Sequence, residues 1–207
     1  KDFGTPNRYK IVKKDFKNNI YTYKSIRNKI PAVFLDRDGV INKDMGPNKY
    51  SDPFSFFKNS IRSLVKLRKS KYLVFLITNQ PSVAKGFISY QQLLNSFKEY
   101  EFFLSKKGFY FDKIYFCPHH PDKGFRGENL KFKINCICRK PKPGLIYLAK
   151  KEFNINLKKS YFIGDSANDY FASIKANVQP IILNKNFKND KSCIYKHSIE
   201  QAINYIL

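Results

Sequence analysis

The chain has 207 residues, of which 43% are hydrophobic and 16% aromatic; this is enough apolar material for the core of one domain and excludes wholesale disorder. Its 39 Lys and Arg against 16 Asp and Glu give a net charge of +23. The longest apolar run, Tyr72–Ile77, is strand-sized, so we expect no membrane-spanning helix. The polar start Lys1–Pro6 is not typical of a signal peptide, and we expect a cytoplasmic protein.

The positive charge is spread along the whole chain and is not gathered in one stripe. Lys occurs together with abundant Asn, Ile, Phe and Tyr, whose codons are all A/T-rich, so base composition explains the charge as well as function does. We therefore do not expect a nucleic-acid partner from charge alone. A small anionic substrate would also be attracted by such a field.

From Pro31 onward, predicted strands alternate with predicted helices. Short apolar runs predict buried strands at Ala32–Leu35, Tyr72–Ile77, Lys113–Cys117, Ser160–Ile163 and Pro180–Leu183. Helical spacing of apolar residues predicts helices within Asn59–Lys69, after Ser89, from Leu145 to Phe153, at Asp169–Ala176 and after Ser198. This alternation predicts an α/β fold with a doubly wound, Rossmann-like parallel sheet over residues 31–207, whereas residues 1–30 are expected to be a linker or the tail of an upstream domain.

Two carboxylates follow the first predicted strand. In a doubly wound sheet, ligands bind beyond the carboxyl ends of the strands. Asp36 could attack phosphorus as a nucleophile, and Asp38 could donate a proton to the leaving oxygen and later take one from water. On its own, an Asp-x-Asp pair is more typical of a solvated turn.

Further polar groups follow other strand ends. Thr78, Asn79 and Gln80 end the second predicted strand and can hold phosphoryl oxygens without charge. After the fourth, Asp165 could complete a Mg²⁺ cage with Asp36 and the backbone of residue 38. The basic stretch Arg139–Gly144 supplies cations for a phosphate dianion.

Together these motifs resemble those of the haloacid dehalogenase-like phosphatases, over roughly Pro31 to Leu183. The resemblance implies that Asp36 is phosphorylated and that Asp38 is the acid and base. It further implies that two residues, Thr78 and Lys140, steady the phosphoryl group, with Lys142 as a competitor for Lys140. The Mg²⁺ ligands implied are Asp36, Asp38 and Asp165, with Asp169 in support.

Cysteine and histidine form two short pairs, Cys117-Pro118-His119 and Cys136-Ile137-Cys138. Three thiolates and one imidazole would make a closed tetrahedral Zn²⁺ site, which is typical of a structural metal. His120 competes with His119, but the offset of two residues in both pairs favours His119. The alternative is a set of free cysteines, as we expect for Cys193 in either case.

The loop sequences Cys-Pro-His-His-Pro and Cys-x-Cys-Arg-Lys-Pro-x-Pro-Gly resemble those of the heptose bisphosphate phosphatases, which remove the 7-phosphate of D-glycero-D-manno-heptose 1,7-bisphosphate, a lipopolysaccharide precursor. The histidinol-phosphate phosphatases carry a similar zinc loop. The resemblance implies that substrate is recognised by Arg139, Asn79 and Gln80, and less directly by Asn42.

Two departures leave the substrate open. Pro81 stands where the heptose enzymes usually have Ser, and the stretch Lys43–Pro47 differs from their usual glycine- and tyrosine-bearing stretch. Histidinol phosphate and a nucleic-acid 3′-phosphate therefore remain alternative substrates. A non-catalytic, basic zinc module that binds RNA is the alternative from another functional class. The preferred anomer, the oligomeric state and the pathway also stay open.

The first residues carry a separate resemblance. Asp2-Phe3-Gly4-Thr5-Pro6 followed by Tyr9 is similar to the end of sugar-phosphate nucleotidyltransferases, which implies that the chain could be part of a bifunctional polypeptide. An ordinary linker is the alternative. No insertion after Asn42 is long enough to fold alone, so we expect a minimal cap over the site.

Overall fold

The computed structural model describes residues 6–17, 28–44, 54–187 and 190–207. Within these residues, six parallel strands form one sheet in the order β3-β2-β1-β4-β5-β6. The strands are β1 Ala32–Leu35, β2 Leu73–Asn79, β3 Lys113–Cys117, β4 Tyr161–Gly164, β5 Gln179–Ile182 and β6 Ile194–Tyr195. The strand order reverses between β1 and β4, so the predicted doubly wound sheet is confirmed.

The helices of the described residues are α1 Pro6–Lys17, α2 Ser60–Arg68, α3 Tyr90–Lys106, α4 Gly144–Phe153, α5 Ala167–Lys175 and α6 Ile199–Ile206. Short 3₁₀ turns lie at Leu130–Phe132, Leu157–Lys159 and Lys185–Phe187. Among these helices, none combines the length and the apolar character that crossing a membrane requires.

Alternate residues of the central strand pack into two separate cores. Val33 and Leu35 belong to a core that includes apolar residues of α2, α3 and α6. Ala32 and Phe34 belong to the other core, which includes residues of α4 and α5. Both faces of the sheet are therefore covered, which is why its strands read as continuous apolar runs.

Serine side chains begin three of the helices. Ser89 and Gln92 form a capping box at the start of α3, and Ser166 and Asp169 form another at the start of α5. Ser198 accepts a hydrogen bond from the backbone of Gln201 at the start of α6. The predicted caps Ser89 and Ser198 are confirmed, and these side chains satisfy donors that would otherwise lack partners.

The structure contains two elements that the sequence did not predict. Part of the expected linker is the helix α1, which begins at Pro6, ends at Lys17 and contacts α3. The short edge strand β6 was not predicted, because two half-buried residues carry no periodic signal. Residues 1–5, which carry most of the nucleotidyltransferase-like motif, lie outside the described residues. The same holds for residues 45–53, which follow Asp44, so the expected minimal cap is not described either.

Candidate active site at the carboxyl ends of the strands

The polar residues singled out after β1, β2 and β4 meet at one edge of the sheet. Asp36 directly follows β1, and its backbone N–H donates to Ile163 O of the neighbouring β4 at 3.0 Å. This edge includes the switch point between β1 and β4, where doubly wound sheets bind ligands.

A buried lysine lies between two of the carboxylates. Lys140, which is 3% exposed, has its Nζ 2.8 Å from Asp36 Oδ1 and 2.6 Å from Asp169 Oδ1. The same Nζ donates to Ile77 O at 3.0 Å. Burial alone would lower the pKa of Lys140, but Asp169 and Asp36 raise it above its ordinary value, so this ammonium stays charged.

Asp36 is crowded in spite of this cation. Burial raises the pKa of Asp36 to about 8. Lys140 opposes this increase, and Asp169 adds to it. Asp36 Oδ1 also accepts from the Arg37 backbone N–H at 2.8 Å, which fixes the orientation of the carboxyl group. An additional positive charge would therefore be needed to keep Asp36 ionised near neutral pH.

Asp169 holds the neighbouring loop as well as Lys140. It is fully buried, and its Oδ2 accepts from the backbone N–H groups of Asp165 and Ser166 and from the Ser166 hydroxyl. These bonds place the loop after β4, so that Asp169 supports the position of Asp165.

The carboxylates fit a hard divalent cation. One ligand atom each from Asp36, Asp165 and Asp169 lies within 4.8 Å of the others. Burial, with a contribution from Asp169, raises the pKa of Asp165 to about 7. A Cβ at Gly39 would lie 2.0 Å from Asp165 Oδ2, and Gly39 has φ +78°, so glycine is required for this approach. Three crowded carboxylate oxygens, with raised pKa values at Asp36 and Asp165, are a donor set that suits Mg²⁺.

Asp38 is bound by a buried arginine and an amide. Arg37, 2% exposed, donates from Nε and Nη2 to Asp38, and from Nη2 to Gln80 Oε1. Gln80 Nε2 donates to Asp38 Oδ2 at 3.0 Å and to Thr78 Oγ1 at 2.9 Å. Three predicted site residues, Asp38, Thr78 and Gln80, are thus joined by hydrogen bonds.

Asn79 and Asn42 are bound to protein groups. Asn79 makes two hydrogen bonds with the backbone of Lys140, at 3.0 and 3.1 Å, and so fixes the place where Lys140 enters the site. Asn42 is 0% exposed, and its Oδ1 accepts from the Tyr100 hydroxyl at 2.7 Å. The Asn42 side chain, which was expected to contact substrate, is therefore buried and bound to Tyr100 in this structure.

The four predicted metal ligands of the zinc loop form a compact cluster. Cys138 Sγ lies 3.2 Å from both Cys117 Sγ and Cys136 Sγ, and 3.3 Å from His119 Nδ1. Cys117 Sγ lies 3.5 Å from Cys136 Sγ and 3.6 Å from His119 Nδ1. The cysteines are free thiols. A tetrahedral site with Zn–S bonds of about 2.3 Å has edges of about 3.8 Å, close to these separations.

The two competing candidates from the sequence, His120 and Lys142, lie outside these groups of residues. His120 lies outside the cluster, with its ring 5.8 Å from that of Phe125 in an edge-on contact. Lys142 points away from the carboxylates and donates to Cys136 O at 3.0 Å. Arg139 is half-buried, and its Nη1 donates to His119 O at 3.2 Å, so it is attached to the same loop.

A cavity of about 760 Å³ opens on one side of this edge of the sheet. Its lining includes Asp165, Gly39 and three basic residues, Lys43, Lys58 and His197. The side of the site that carries Asp165 is therefore accessible to a small molecule.

Sequence reasoning missed the role of Arg37. It is a fully buried charge with its partner next to it in the chain and a second partner, Gln80, 43 residues away. An arginine between two predicted catalytic aspartates was the available signal, because a charge at the end of a buried strand requires a partner.

Comparisons with known proteins agree with this geometry. The family model described as polynucleotide kinase 3 phosphatase matches residues 31–204. The chain is 36% identical to a D-glycero-beta-D-manno-heptose-1,7-bisphosphate 7-phosphatase of Photorhabdus laumondii over 86% of this chain and 90% of that protein. It is 39% identical to the protein of the same name from Pasteurella multocida, over 76% and 83%. The chain belongs to the haloacid dehalogenase-like phosphatases.

A solved structure shares the fold of this phosphatase. The crystal structure of a D,D-heptose 1,7-bisphosphate phosphatase from B. bronchiseptica, complexed with magnesium and phosphate, matches with a TM-score of 0.72 and 24% identity. The match covers 86% of this chain and 98% of that chain. The predicted class of enzyme, a phosphoric monoester hydrolase, is confirmed by the family to which the chain belongs.

Proposed function

We propose that this chain is a Mg²⁺-dependent phosphatase that removes the 7-phosphate from D-glycero-D-manno-heptose 1,7-bisphosphate. The observation that carries the proposal is the identity of 36–39% to relatives of that name, over 74–86% of the chain. The relatives' names specify the β anomer, which is therefore the first substrate to test. The grouping of Asp36, Lys140 and Asp165 at the switch point supports the reaction class.

The proposed reaction uses Asp36 and Asp38 in turn. A carboxylate oxygen of Asp36 attacks phosphorus in line, and the bond from phosphorus to the sugar oxygen breaks. Asp38 gives its proton to that leaving oxygen. Water then attacks the phosphorus of the aspartyl-phosphate, Asp38 takes a proton from this water, and inorganic phosphate leaves Asp36 free. Thr78 and Lys140 bind the phosphoryl oxygens during both steps.

Each of the two proposed metals has its own set of ligands. Mg²⁺ would be held by Asp36, the backbone at Asp38 and Asp165, with Asp169 in support, and would neutralise negative charge beside the phosphoryl group. Zn²⁺ would be held by Cys117, His119, Cys136 and Cys138; with four protein ligands it has no open position, so its role is structural.

We further propose that Arg139 binds the second, non-reacting phosphate. Burial lowers the pKa of Lys85, and Arg139 and Lys133 lower it further, which shows that cations concentrate beside the zinc loop. A phosphate at this position would relieve that repulsion, and a planar guanidinium can bind it bidentately. The contact of Arg139 with His119 O explains how the metal-bound loop would hold this residue in place.

A second candidate substrate is a nucleic-acid 3′-phosphate, which the description of the matching family model favours. A panel comparing the heptose bisphosphate, a sugar monophosphate, histidinol phosphate and 3′-phosphorylated oligonucleotides, scored by kcat/KM, decides between them. The heptose bisphosphate is expected to have the highest kcat/KM. A preference for the oligonucleotide would refute the proposed substrate without refuting the chemistry.

Arg139→Ala sharpens this experiment. The variant should lose kcat/KM for the bisphosphate far more than for a monophosphate, and Arg139→Lys should recover only part of the loss. Arg126→Ala, which removes an exposed arginine from the same long loop, controls for net charge. Equal losses on both substrates would contradict a role for Arg139 in reading the second phosphate.

We propose that residues 31–207 form the phosphatase domain and that residues 1–30 are a linker or the tail of an upstream nucleotidyltransferase. The family match over residues 31–204 supports the boundary. A chain beginning at residue 28 should keep the kcat of the full chain. A large loss of kcat in the shortened chain would place α1 within the functional unit.

A further inference from the structure

We propose that Arg37 and Gln80 are positioning residues for Asp38: they hold one oxygen of its carboxyl group, so that the other oxygen, Oδ1, exchanges protons with the leaving group and with water. The inference deepens the proposed function, because it rests on the role of Asp38 as acid and base. Its support is the hydrogen-bond network among these three side chains.

The donors are distributed unequally over the two oxygens of Asp38. Oδ2 accepts from Arg37 Nη2 at 3.1 Å, from Arg37 Nε at 3.2 Å and from Gln80 Nε2 at 3.0 Å. Among the described residues, Oδ1 has one donor, Arg37 Nε at 3.1 Å. The donors are concentrated on Oδ2, which leaves Oδ1 with more free acceptor capacity toward a leaving group and water.

The orientation of the Gln80 amide is determined by its neighbours. A guanidinium can only donate, so the atom that faces Arg37 Nη2 must be Oε1, which leaves Nε2 for Asp38 and Thr78. If the amide were flipped, Gln80 Nε2 would face Arg37 Nη2, and two donors would oppose each other. Gln80 links the proposed acid to Thr78, which the proposed function places against the phosphoryl oxygens.

Burial makes this arrangement rigid. Arg37 is 2% exposed and Gln80 is 4% exposed, whereas the Asp38 side chain keeps 22% of its surface accessible. The Arg37 carbonyl also accepts from the backbone N–H groups of Ile41 and Asn42 at 2.9 Å, so the turn that bears Asp38 is tied to the same residue. The two buried side chains thus fix an acid that is itself open to substrate.

The test compares esters with poor and good leaving groups in the Mg²⁺-loaded enzyme. Arg37→Met keeps a similar volume but removes the charge and the fork of donors. We expect kcat for an alkyl phosphate, such as the heptose bisphosphate, to fall by about 10- to 100-fold, part of the roughly 10²–10⁴-fold contribution of a positioned general acid. For para-nitrophenyl phosphate, whose leaving group needs little protonation, we expect a loss below about threefold, with KM nearly unchanged.

The chain contains a matched control. Arg68, the last residue of α2, is also buried, and its Nη1 pairs at 2.9 Å with Asp112, which directly precedes β3 and so lies at the opposite end of the strands from the site. Arg68→Met should lower stability but leave the ratio of the two ester activities as in wild type. Arg37→Lys should recover part of the alkyl activity, since it restores the charge without the fork.

The outcomes separate the two proposals. An active wild-type enzyme whose Arg37→Met variant loses both ester activities equally would overturn the positioning role alone. Hydrolysis of neither ester class by the wild-type chain would overturn the proposed function, and the role of Asp38 with it. If Arg37→Met does not fold, Gln80→Met decides the question: a selective loss on alkyl esters supports the proposal, and an unchanged ester ratio refutes it.

Discussion

Replacing Lys140 by methionine removes the ammonium that lies between Asp36 and Asp169. The substitution roughly keeps the side-chain length but leaves two buried carboxylates facing each other, where Nζ was 2.8 and 2.6 Å away. Breaking a buried ion pair by removing one partner costs about 3–5 kcal/mol. We therefore expect the free energy of unfolding of the metal-free variant to fall by about that amount at pH 9.

The loss should depend on pH. Burial raises the pKa of Asp36 to about 8 even with Lys140 present, and removing the cation raises it further. Between about pH 4 and pH 8, the folded state therefore binds more protons at Asp36 than the unfolded state does. The free energy of unfolding falls as the pH rises through that window. At pH 5 both chains protonate Asp36, whereas above about pH 8 Asp36 ionises beside Lys140 in the wild type and keeps its proton in the variant, so the deficit should be larger at pH 9 than at pH 5.

Urea denaturation of the metal-free chain, followed by circular dichroism at both pH values, measures this deficit. In thermal unfolding, a shift of about 2–4 °C per kcal/mol for a chain of this size gives a fall in Tm of roughly 6–20 °C. Lys142→Met is the matched control, because Lys142 is half-buried and donates only to loop groups; its loss should be about 1 kcal/mol or less. A loss below about 1 kcal/mol for Lys140→Met at pH 9 would refute the reasoning.

Four further outcomes are expected. Asp36→Asn should abolish phosphate release with an unchanged far-ultraviolet spectrum, since an amide cannot form the acyl-phosphate, and appreciable turnover would exclude Asp36 as nucleophile. Asp38→Asn should slow sugar-ester hydrolysis by about 10²–10⁴-fold and aryl-ester hydrolysis by less; equal losses would argue against an acid role. Metal analysis should find one Zn²⁺ per chain, and full retention of zinc in a Cys136→Ser/Cys138→Ser variant would contradict the assigned ligands. Calorimetry should show Mg²⁺ binding tighter at pH 8 than at pH 5 with release of protons, because the raised pKa values of Asp36 (about 8) and Asp165 (about 7) make protons compete; an affinity independent of pH would contradict this.

The sheet could be predicted from the sequence because its strands are buried on both faces. Ala32–Leu35 and Lys113–Cys117 were predicted with the observed bounds, since a short apolar run that ends in polar residues is typical of a parallel strand. Helix α1 was missed because its few apolar residues are diluted by lysines. Strand β6 was missed because it pairs with β5, at the edge of the sheet formed by the described residues, a contact that depends on the tertiary fold.

The sequence predicts which residues belong to the candidate site but not which of them form hydrogen bonds with each other. Residues that follow parallel strands must meet at one edge of the sheet, which is why Asp36, Thr78 and Asp165 could be grouped without a structure. The resemblance assigned Gln80 to the substrate, whereas its amide is bound to Asp38 and Arg37. A single sequence does not say which of several polar groups at one edge pair with each other.

Lys140 and Lys142 show where the missing information lies. Both are lysines followed by proline, two residues apart, and either could have reached the carboxylates. The difference comes from Asn79, whose side chain accepts from Lys140 N and donates to Lys140 O, and so fixes the backbone where the lysine enters. The Lys140 side chain then passes Ile77 O to reach Asp36, while Lys142 turns back to the zinc loop. Asn79 thus affects the proposed chemistry by positioning the Lys140 ammonium. The sequence shows that a polar residue ends this strand, but it does not show that its partner is the backbone of Lys140.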